Sequence, residues 1–305
     1  MGFRSWIGAW LGEPPLAFAF APAGLLFPYY IGVAYELNSL GLLRRESPLG
    51  GASAGAIVAT ALACGVTEAQ VRNALAALLR DMRRGVRLSA ALRRQLEAVL
   101  NENAPAAARA HRLTVCCECR YAPGAPAQHM ADAFASAHSP MAGGCFTSAR
   151  TPNRQTSVAR VPVADAELFP RPRRHIVTEW SSKQDLIDCV VASCNIPWYF
   201  DWPWPLVRCR NGWALDGFFA FPHRLGCPQL DAPRTIAISA LPTRLPAVAD
   251  ADIIAPGRRG AALPAGVPKA RWLRWALLPP SDDERITEMI ELGKQHAQRW
   301  AKTAA

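Results

Sequence analysis

A single serine set among very small residues is the first feature of this chain that could do chemistry. Residues 51–55 have the sequence GASAG, and apolar runs lie on both sides of it. A serine oxygen becomes a useful nucleophile when a strained turn between a strand and a helix holds it exposed. Such a turn needs almost no side chain two positions before and after Ser53, and Gly51 and Gly55 meet that need. Plain tight turns share this composition, so the pattern is suggestive by itself.

Two other kinds of glycine-rich loop fit the same residues less well. A phosphate-binding loop needs Lys followed by Ser or Thr after its last glycine, whereas Ala56 and Ile57 follow Gly55. A dinucleotide-binding loop needs a glycine at the position of Ala52. Nucleophilic catalysis therefore remains the better interpretation of Ser53.

A serine nucleophile needs a base that takes its proton. Asp216 ends an apolar, aromatic hairpin with Trp213 before it and Phe218 after it, where an unpaired carboxylate is costly to bury. A Ser–Asp–His triad could instead use His223 or His296. His223 is typical of a surface loop and His296 of a polar helix face, so Asp216 is the stronger candidate.

The surrounding elements predict an α/β fold. Strands are expected at 16–20, 113–121, 157–164, 173–180 and 235–240, with another running into the serine turn and a hairpin at 208–215. Helices are expected at 25–40, 54–64, 67–81, 88–102, 182–194 and 282–302. Alternating strands and helices indicate a sheet with helices on both faces, and sites in such sheets form where strands end. The turns at 21–24, 51–55 and 216–217 meet that description.

Four segments, in this order, resemble the patatin-like phospholipases, a family of lipid acyl hydrolases with a Ser–Asp dyad. Residues 20–32 are similar to the family's glycine-rich oxyanion segment and its helix. Residues 51–55 are similar to its GxSxG turn, and residues 182–197 to the helix that enters its A-S-x-x-I-P stretch. Asp216 and Gly217 are similar to its DGG/DGA motif. The resemblance covers about residues 16–240.

The resemblance implies a three-layer sandwich with a mostly parallel central sheet. It implies that Ser53 attacks an acyl carbonyl, that Asp216 is the base, and that water hydrolyses the acyl-enzyme without a metal or cofactor. Backbone N–H groups of Ala23, Gly24 and Ala54 would hold the oxyanion. The substrate would be a phospholipid or an acylglycerol at a membrane or lipid-droplet surface.

Three residues depart from the family pattern. Pro22 replaces the first glycine of the oxyanion segment and has no N–H to donate. Leu25 stands where a basic residue is common, and Phe218 replaces a small residue after Asp216. These departures keep two alternatives open beside the histidine triad. One is an acyltransferase that passes the acyl group to an alcohol, and the other is a catalytically silent lipid-binding scaffold.

Composition limits the partners and the location. The net charge of +10 is scattered in short clusters and forms no organised nucleic-acid reader, so an anionic lipid surface is the better partner. Nine cysteines without a secretory signal indicate reduced thiols in an intracellular protein, cytoplasmic or peripheral to a membrane or lipid droplet. No apolar run reaches transmembrane length.

The chain is expected to have four parts. Residues 1–15 are a lead-in segment, residues 16–240 form the catalytic domain, residues 241–270 are a flexible loop rich in Pro, Ala and Arg, and residues 271–305 form a C-terminal helical segment.

Overall fold

The computed structural model describes residues 14–119, 173–200, 206–210, 212–246, 248–258, 260–280 and 282–304. Within these residues, eight strands form one mixed sheet. The strands are β1 (Ala17–Phe20), β2 (Leu49–Ala52), β3 (Thr114–Cys119), β4 (Arg173–Val177), β5 (Val207–Cys209), β6 (Gly212–Leu215), β7 (Thr235–Ile238) and β8 (Ile253–Ile254). Their hydrogen-bonded order is β5-β6-β3-β2-β1-β7-β8, and β4 pairs with β3.

Helices surround this sheet. They are α1 (Phe27–Ser39), α2 (Ala54–Ala63), α3 (Glu68–Arg83), α4 (Leu88–Val99), α5 (Ala104–Ala110), α6 (Lys183–Ser193), α7 (Lys269–Arg274) and α8 (Asp283–Ala304). Strands β8, β7, β1, β2 and β3 are parallel to their neighbours in that series, whereas β4, β5 and β6 pair antiparallel. The α/β fold expected from the sequence, with helices around mostly parallel strands, is confirmed.

The pairing of β3 decides where the chain can form a site. Residues Val115 and Cys116 pair with β4 on one edge and with β2 on the other. Residues Glu118 and Cys119 pair with β4 and with β6. Since a strand has only two edges, β2 and β6 lie end to end along the same edge of β3. The ends of these two strands therefore meet.

Local sequence explains the helices that frame this edge. Thr67 caps α3 through a capping box with Gln70, as its spacing predicts, and leucines at helical spacing turn its apolar face inward. Helices α1 and α8 cross closely because each has a glycine at the contact. A Cβ on Gly32 would lie 1.9 Å from the Ile290 carbonyl oxygen, and one on Gly293 would lie 2.2 Å from that of Tyr29.

Three parts of the sequence prediction need correction. Helix α5 was missed, because its Ala- and Pro-rich sequence has no apolar stripe. The segment 241–270 contains β8, which pairs with β7 and is buried, although two isoleucines are too short a run to predict a strand. The Asn211-Gly212 pair in the hairpin sequence predicts a turn with positive φ angles there, whereas in the structure Arg210 has a positive φ and Gly212 opens β6. The predicted strand at 157–164 lies outside the described residues.

Replacing Gly55 with alanine should destabilise the fold. An added Cβ would lie 2.3 Å from the Phe20 carbonyl oxygen, so β1 and α2 would have to separate. We expect a loss of about 2 to 3 kcal/mol in the free energy of unfolding, measured by urea denaturation. Gly41→Ala is the control, because its Cβ would meet nothing within 4 Å and only its φ of 69° is unfavourable. An equal loss in both variants would contradict a steric requirement at Gly55.

Candidate active site

Ser53 lies in a strained turn between β2 and α2. Its φ of 55° and ψ of −130° fall outside the regions that most residues other than glycine adopt. The turn folds because its neighbours are small: a Cβ on Gly51 would lie 2.2 Å from the Gly55 carbonyl oxygen. The side chain is 4% exposed and reaches two cavities. This is the strand–turn–helix geometry that a nucleophilic serine requires.

Asp216 directly follows β6 and is buried at the meeting of the two strand ends. Its backbone N–H donates to the carbonyl oxygen of Asn195 at 2.8 Å, which fixes its position. Its Oδ1 accepts a hydrogen bond from the Phe218 N–H at 2.8 Å. The other oxygen, Oδ2, has no hydrogen-bond partner of ordinary geometry among the described residues. The nearby Ser53 hydroxyl favours the charged form of the carboxyl.

The electrostatics of this carboxyl follow from its burial. Removal from water raises the pKa of Asp216 to about 7, and the hydrogen bond from the Phe218 N–H and the nearby Ser53 hydroxyl lower it only in part. A carboxylate with a pKa in this range is a much stronger base than an exposed aspartate. It can take a proton near neutral pH.

The last residue of α6 and the segment that follows it hold both candidate residues in place. The Oγ of Ser193 accepts the Ser53 N–H at 2.9 Å and donates to the Cys116 carbonyl oxygen at 2.5 Å. The Nδ2 of Asn195 donates to the Ala214 carbonyl oxygen at 3.2 Å, at the end of β6. The sequence analysis identifies residues 182–197 as similar to a family segment but predicts no role for Ser193 or Asn195. The only sequence signal for these two residues is that they lie at the end of the predicted helix.

Backbone N–H groups near Ser53 are available for an oxyanion. Among the described residues, the N–H groups of Ala23, Gly24 and Ala54 donate no hydrogen bond, and that of Ala54 opens α2, where no intrahelical acceptor exists. The Leu25 N–H is occupied, because it donates to the Ala276 carbonyl oxygen at 2.8 Å. Pro22 contributes no donor. The N–H groups of Ala23, Gly24 and Ala54 are therefore available, and their role as oxyanion donors stays a prediction.

Two cavities meet at Ser53. The first, the mouth cavity, joins the two candidate residues to the turn at 21–24. Its lining is Pro22, Ala23, Gly24, Ser53, Ile196, Asp216, Phe218, Phe219, Leu241, Ala276 and Leu277. The second, the apolar cavity, is lined almost entirely by apolar residues, and helices α2, α3 and α4 supply most of its lining.

The apolar cavity is elongated. Along α2 it is lined by Ser53, which caps the helix, and by Ile57 and Ala61 on the same face. Ser53 and Ala61 are eight residues apart, so the cavity extends about 12 Å along the helix. Apolar side chains of α3 and α4 form much of the remaining lining, and Gln95 is the polar exception on α4. A flexible apolar chain fits such a space.

Neither histidine considered as a base reaches this site. His223 is exposed in a short 3-10 turn, and His296 is buried where its Nδ1 bonds the Tyr29 hydroxyl at 3.1 Å. Burial lowers the pKa of His296 to about 4. Neither residue lines the two cavities at Ser53.

Among the described residues, no three His, Cys, Asp or Glu side chains are grouped as a metal site would need.

The chain matches the model of a known family. A model of the patatin-like phospholipase family matches residues 19–225, which is more than half of the chain. The chain therefore belongs to the patatin-like phospholipase family, whose members are generally hydrolytic and act on lipids. No curated protein matches the chain at significant similarity.

Where the structure describes the chain, no helix combines the length and the apolar composition needed to span a bilayer.

Replacing Asp216 with asparagine should stabilise the fold at neutral and alkaline pH. The folded-state pKa lies near 7 and the unfolded one near 4, so the wild type loses stability as pH rises through this interval. Asparagine cannot ionise and avoids this loss, which reaches up to about 4 kcal/mol above pH 7. Thermal unfolding at pH 4 and pH 8 measures the effect.

The exposed Asp231 provides the control for this comparison. Asp231→Asn should change stability little at either pH, because its charge is already hydrated. A gain for Asp216→Asn that is equal at pH 4 and pH 8 would contradict a buried, ionisable carboxyl at this position.

Proposed function

We propose that the protein is a serine lipid acyl hydrolase that cleaves ester-linked fatty acyl chains from a phospholipid or an acylglycerol. The observation that carries the proposal is one juxtaposition. Ser53, in a strained turn, shares a mouth cavity with the buried carboxyl of Asp216 and also opens on an elongated apolar cavity. A nucleophile, a base and a space for a hydrocarbon chain are what ester hydrolysis of a lipid requires.

In the proposed reaction, Asp216 takes the hydroxyl proton of Ser53 as the serine oxygen attacks the acyl carbonyl. The carbonyl oxygen becomes negatively charged and is held by the N–H groups of Ala23, Gly24 and Ala54, where one such donor is worth about 3 kcal/mol. When the C–O bond to the lipid breaks, Asp216 returns the proton to the leaving alcohol. The acyl group is then an ester of Ser53.

The second half of the proposed reaction repeats these steps with water. Asp216 takes a proton from the water that attacks the acyl-enzyme, and the Ser53 oxygen leaves and recovers that proton. The free fatty acid departs and the enzyme is regenerated. The raised pKa of Asp216 suits both steps, because the carboxyl must accept and return a proton near neutral pH.

Labelling with a fluorophosphonate probe, which phosphonylates reactive serines, tests the nucleophile and the base. We expect labelling of the wild type, none of Ser53→Ala, at least about a hundredfold slower labelling of Asp216→Asn, and full labelling of His223→Ala.

Below pH 7, kcat/KM for a soluble ester should fall about tenfold per pH unit, because protonation of Asp216 removes the base.

Three outcomes would change the proposal. Absence of labelling that depends on Ser53 would leave a catalytically silent lipid-binding scaffold, the alternative raised by Pro22. Loss of labelling in His223→Ala with normal labelling of Asp216→Asn would contradict the dyad. Product analysis with an added alcohol acceptor separates the remaining pair, since an acyltransferase would form a new ester in preference to free fatty acid.

Narrowing the apolar cavity should change the preferred acyl length. Ala74 lines the cavity from α3, and Ala74→Phe would fill part of it. We expect kcat/KM for a long-chain p-nitrophenyl ester to fall about tenfold relative to the butyrate ester. Ala77→Phe is the matched control, since Ala77 is similarly half-buried on α3 but lies outside the lining. An unchanged length preference in Ala74→Phe would contradict acyl binding in this cavity.

A further inference from the structure

Exposed apolar side chains are concentrated at one place on this protein. Among the described residues, seven large hydrophobic side chains are exposed, and all but Ile176 belong to segments that line or adjoin the mouth cavity. These six form the mouth patch: Trp198, Phe218, Phe219, Leu273, Leu277 and Leu278. Single exposed apolar residues are ordinary on protein surfaces, but a cluster of this kind marks an interaction site.

Hydrogen bonds fix the backbone in the part of the patch around α7. Trp272 is fully buried, and its Nε1–H donates to the Ala240 carbonyl oxygen at 2.7 Å. The Tyr199 hydroxyl donates to the Leu277 carbonyl oxygen, and the Leu25 N–H to that of Ala276. With the backbone fixed in this way, the side chains of Leu277 and Leu278 remain 50% and 55% exposed. The apolar exposure is therefore a feature of a fixed surface.

Positive charge accompanies this apolar surface. Lys269, Arg271 and Arg274 are exposed on α7. None of them takes part in the ion pairs found among the described residues, whereas Arg72, Arg83, Arg94 and others do. A short helix with exposed cations outside these ion pairs, bearing Leu273 and followed by the exposed Leu277 and Leu278, is suited to the boundary between anionic headgroups and acyl chains.

We infer that the mouth patch and the cations of α7 form a docking surface for an anionic lipid bilayer. The inference rests on the proposed function in one respect, because the bilayer would supply the lipid that enters the mouth cavity. A bilayer fits this surface better than a protein partner, since a protein seated around the mouth would close it. Docking would also let an acyl chain pass from the bilayer to the apolar cavity without crossing water.

Sedimentation with lipid vesicles tests the docking surface. The Ser53→Ala protein is used as the parent, so that no lipid is consumed. We expect it to bind phosphatidylcholine vesicles that contain phosphatidylserine more tightly than pure phosphatidylcholine vesicles, and less tightly in high salt. Adding Arg271→Gln and Arg274→Gln should weaken binding to the anionic vesicles about fivefold for each arginine lost.

The apolar contribution is tested by Leu273→Ser with Leu278→Ser, two positions outside the lining of the mouth cavity. This pair should weaken vesicle binding about tenfold. Two matched controls should bind as the parent does. The first is Ile176→Ser, which removes the exposed apolar residue outside the patch. The second is Arg80→Gln with Arg84→Gln, which removes one exposed cation on α3 and one directly after it.

The outcomes separate the docking surface from the catalytic proposal. In the catalytically intact chain, Leu273→Ser with Leu278→Ser should keep wild-type activity on soluble p-nitrophenyl butyrate while hydrolysis of vesicle lipid falls about tenfold. Because binding is measured with Ser53→Ala, it can succeed even where no ester is hydrolysed. Equal binding of patch variants and controls would overturn the inference. Self-association through the patch, seen by light scattering without vesicle binding, would overturn it as well.

Discussion

One edge of β3 holds two strands that run toward each other, and the candidate site depends on this arrangement. Strand β2 ends at Ala52 opposite Cys116, and β6 ends at Leu215 opposite Glu118. The space between the two ends is too narrow for ordinary side chains. A Cβ on Gly217 would lie 2.3 Å from the Cys116 carbonyl oxygen and 2.8 Å from the Ala52 Cβ. Ala52 and Gly217, one small residue from each motif, are thus explained by one crowded gap.

Crowding at this gap also explains the chemistry proposed for Asp216. A carboxyl placed between two strand ends is removed from water, and only one of its oxygens has a backbone donor among the described residues. The same burial raises its pKa and makes its ionised form costly to the fold. Burial is therefore the single cause of both the basicity of the Asp216 carboxylate and its cost to the stability of the fold. Stability given up in this way is common where a fold carries a reactive group.

Local rules predicted part of this structure well. The turn around Ser53 and the capping box at Thr67 depend on residues within a few positions of each other, so their sequence patterns were sufficient. The position of Asp216 followed from a hairpin and from the cost of burying its charge. The α/β fold followed from alternating strands and helices.

Long-range pairing accounts for what the sequence did not reveal. Nothing in the residues of β3 indicates that β2 and β6 share one of its edges, because register is decided by contacts far apart in the chain. The bridge that Ser193 makes between Ser53 and Cys116 depends on that register. Strand β8 is a similar case, since two isoleucines form a strand only because the edge of β7 is available to them.

The segment that follows α7 connects the oxyanion turn to the surface. Gly24 has a φ of 55°, and a Cβ there would lie 2.2 Å from the Ala276 carbonyl oxygen, so this carbonyl restricts the turn to glycine. The same oxygen accepts the Leu25 N–H. Leu277 and Leu278 follow at once and belong to the mouth patch. If the mouth patch docks on a bilayer as inferred, the bilayer that contacts these leucines would also hold the segment that positions the proposed oxyanion donors. Because Pro22 has no N–H to donate, the proposed oxyanion hole would depend more on the placement of Ala23 and Gly24 by this segment.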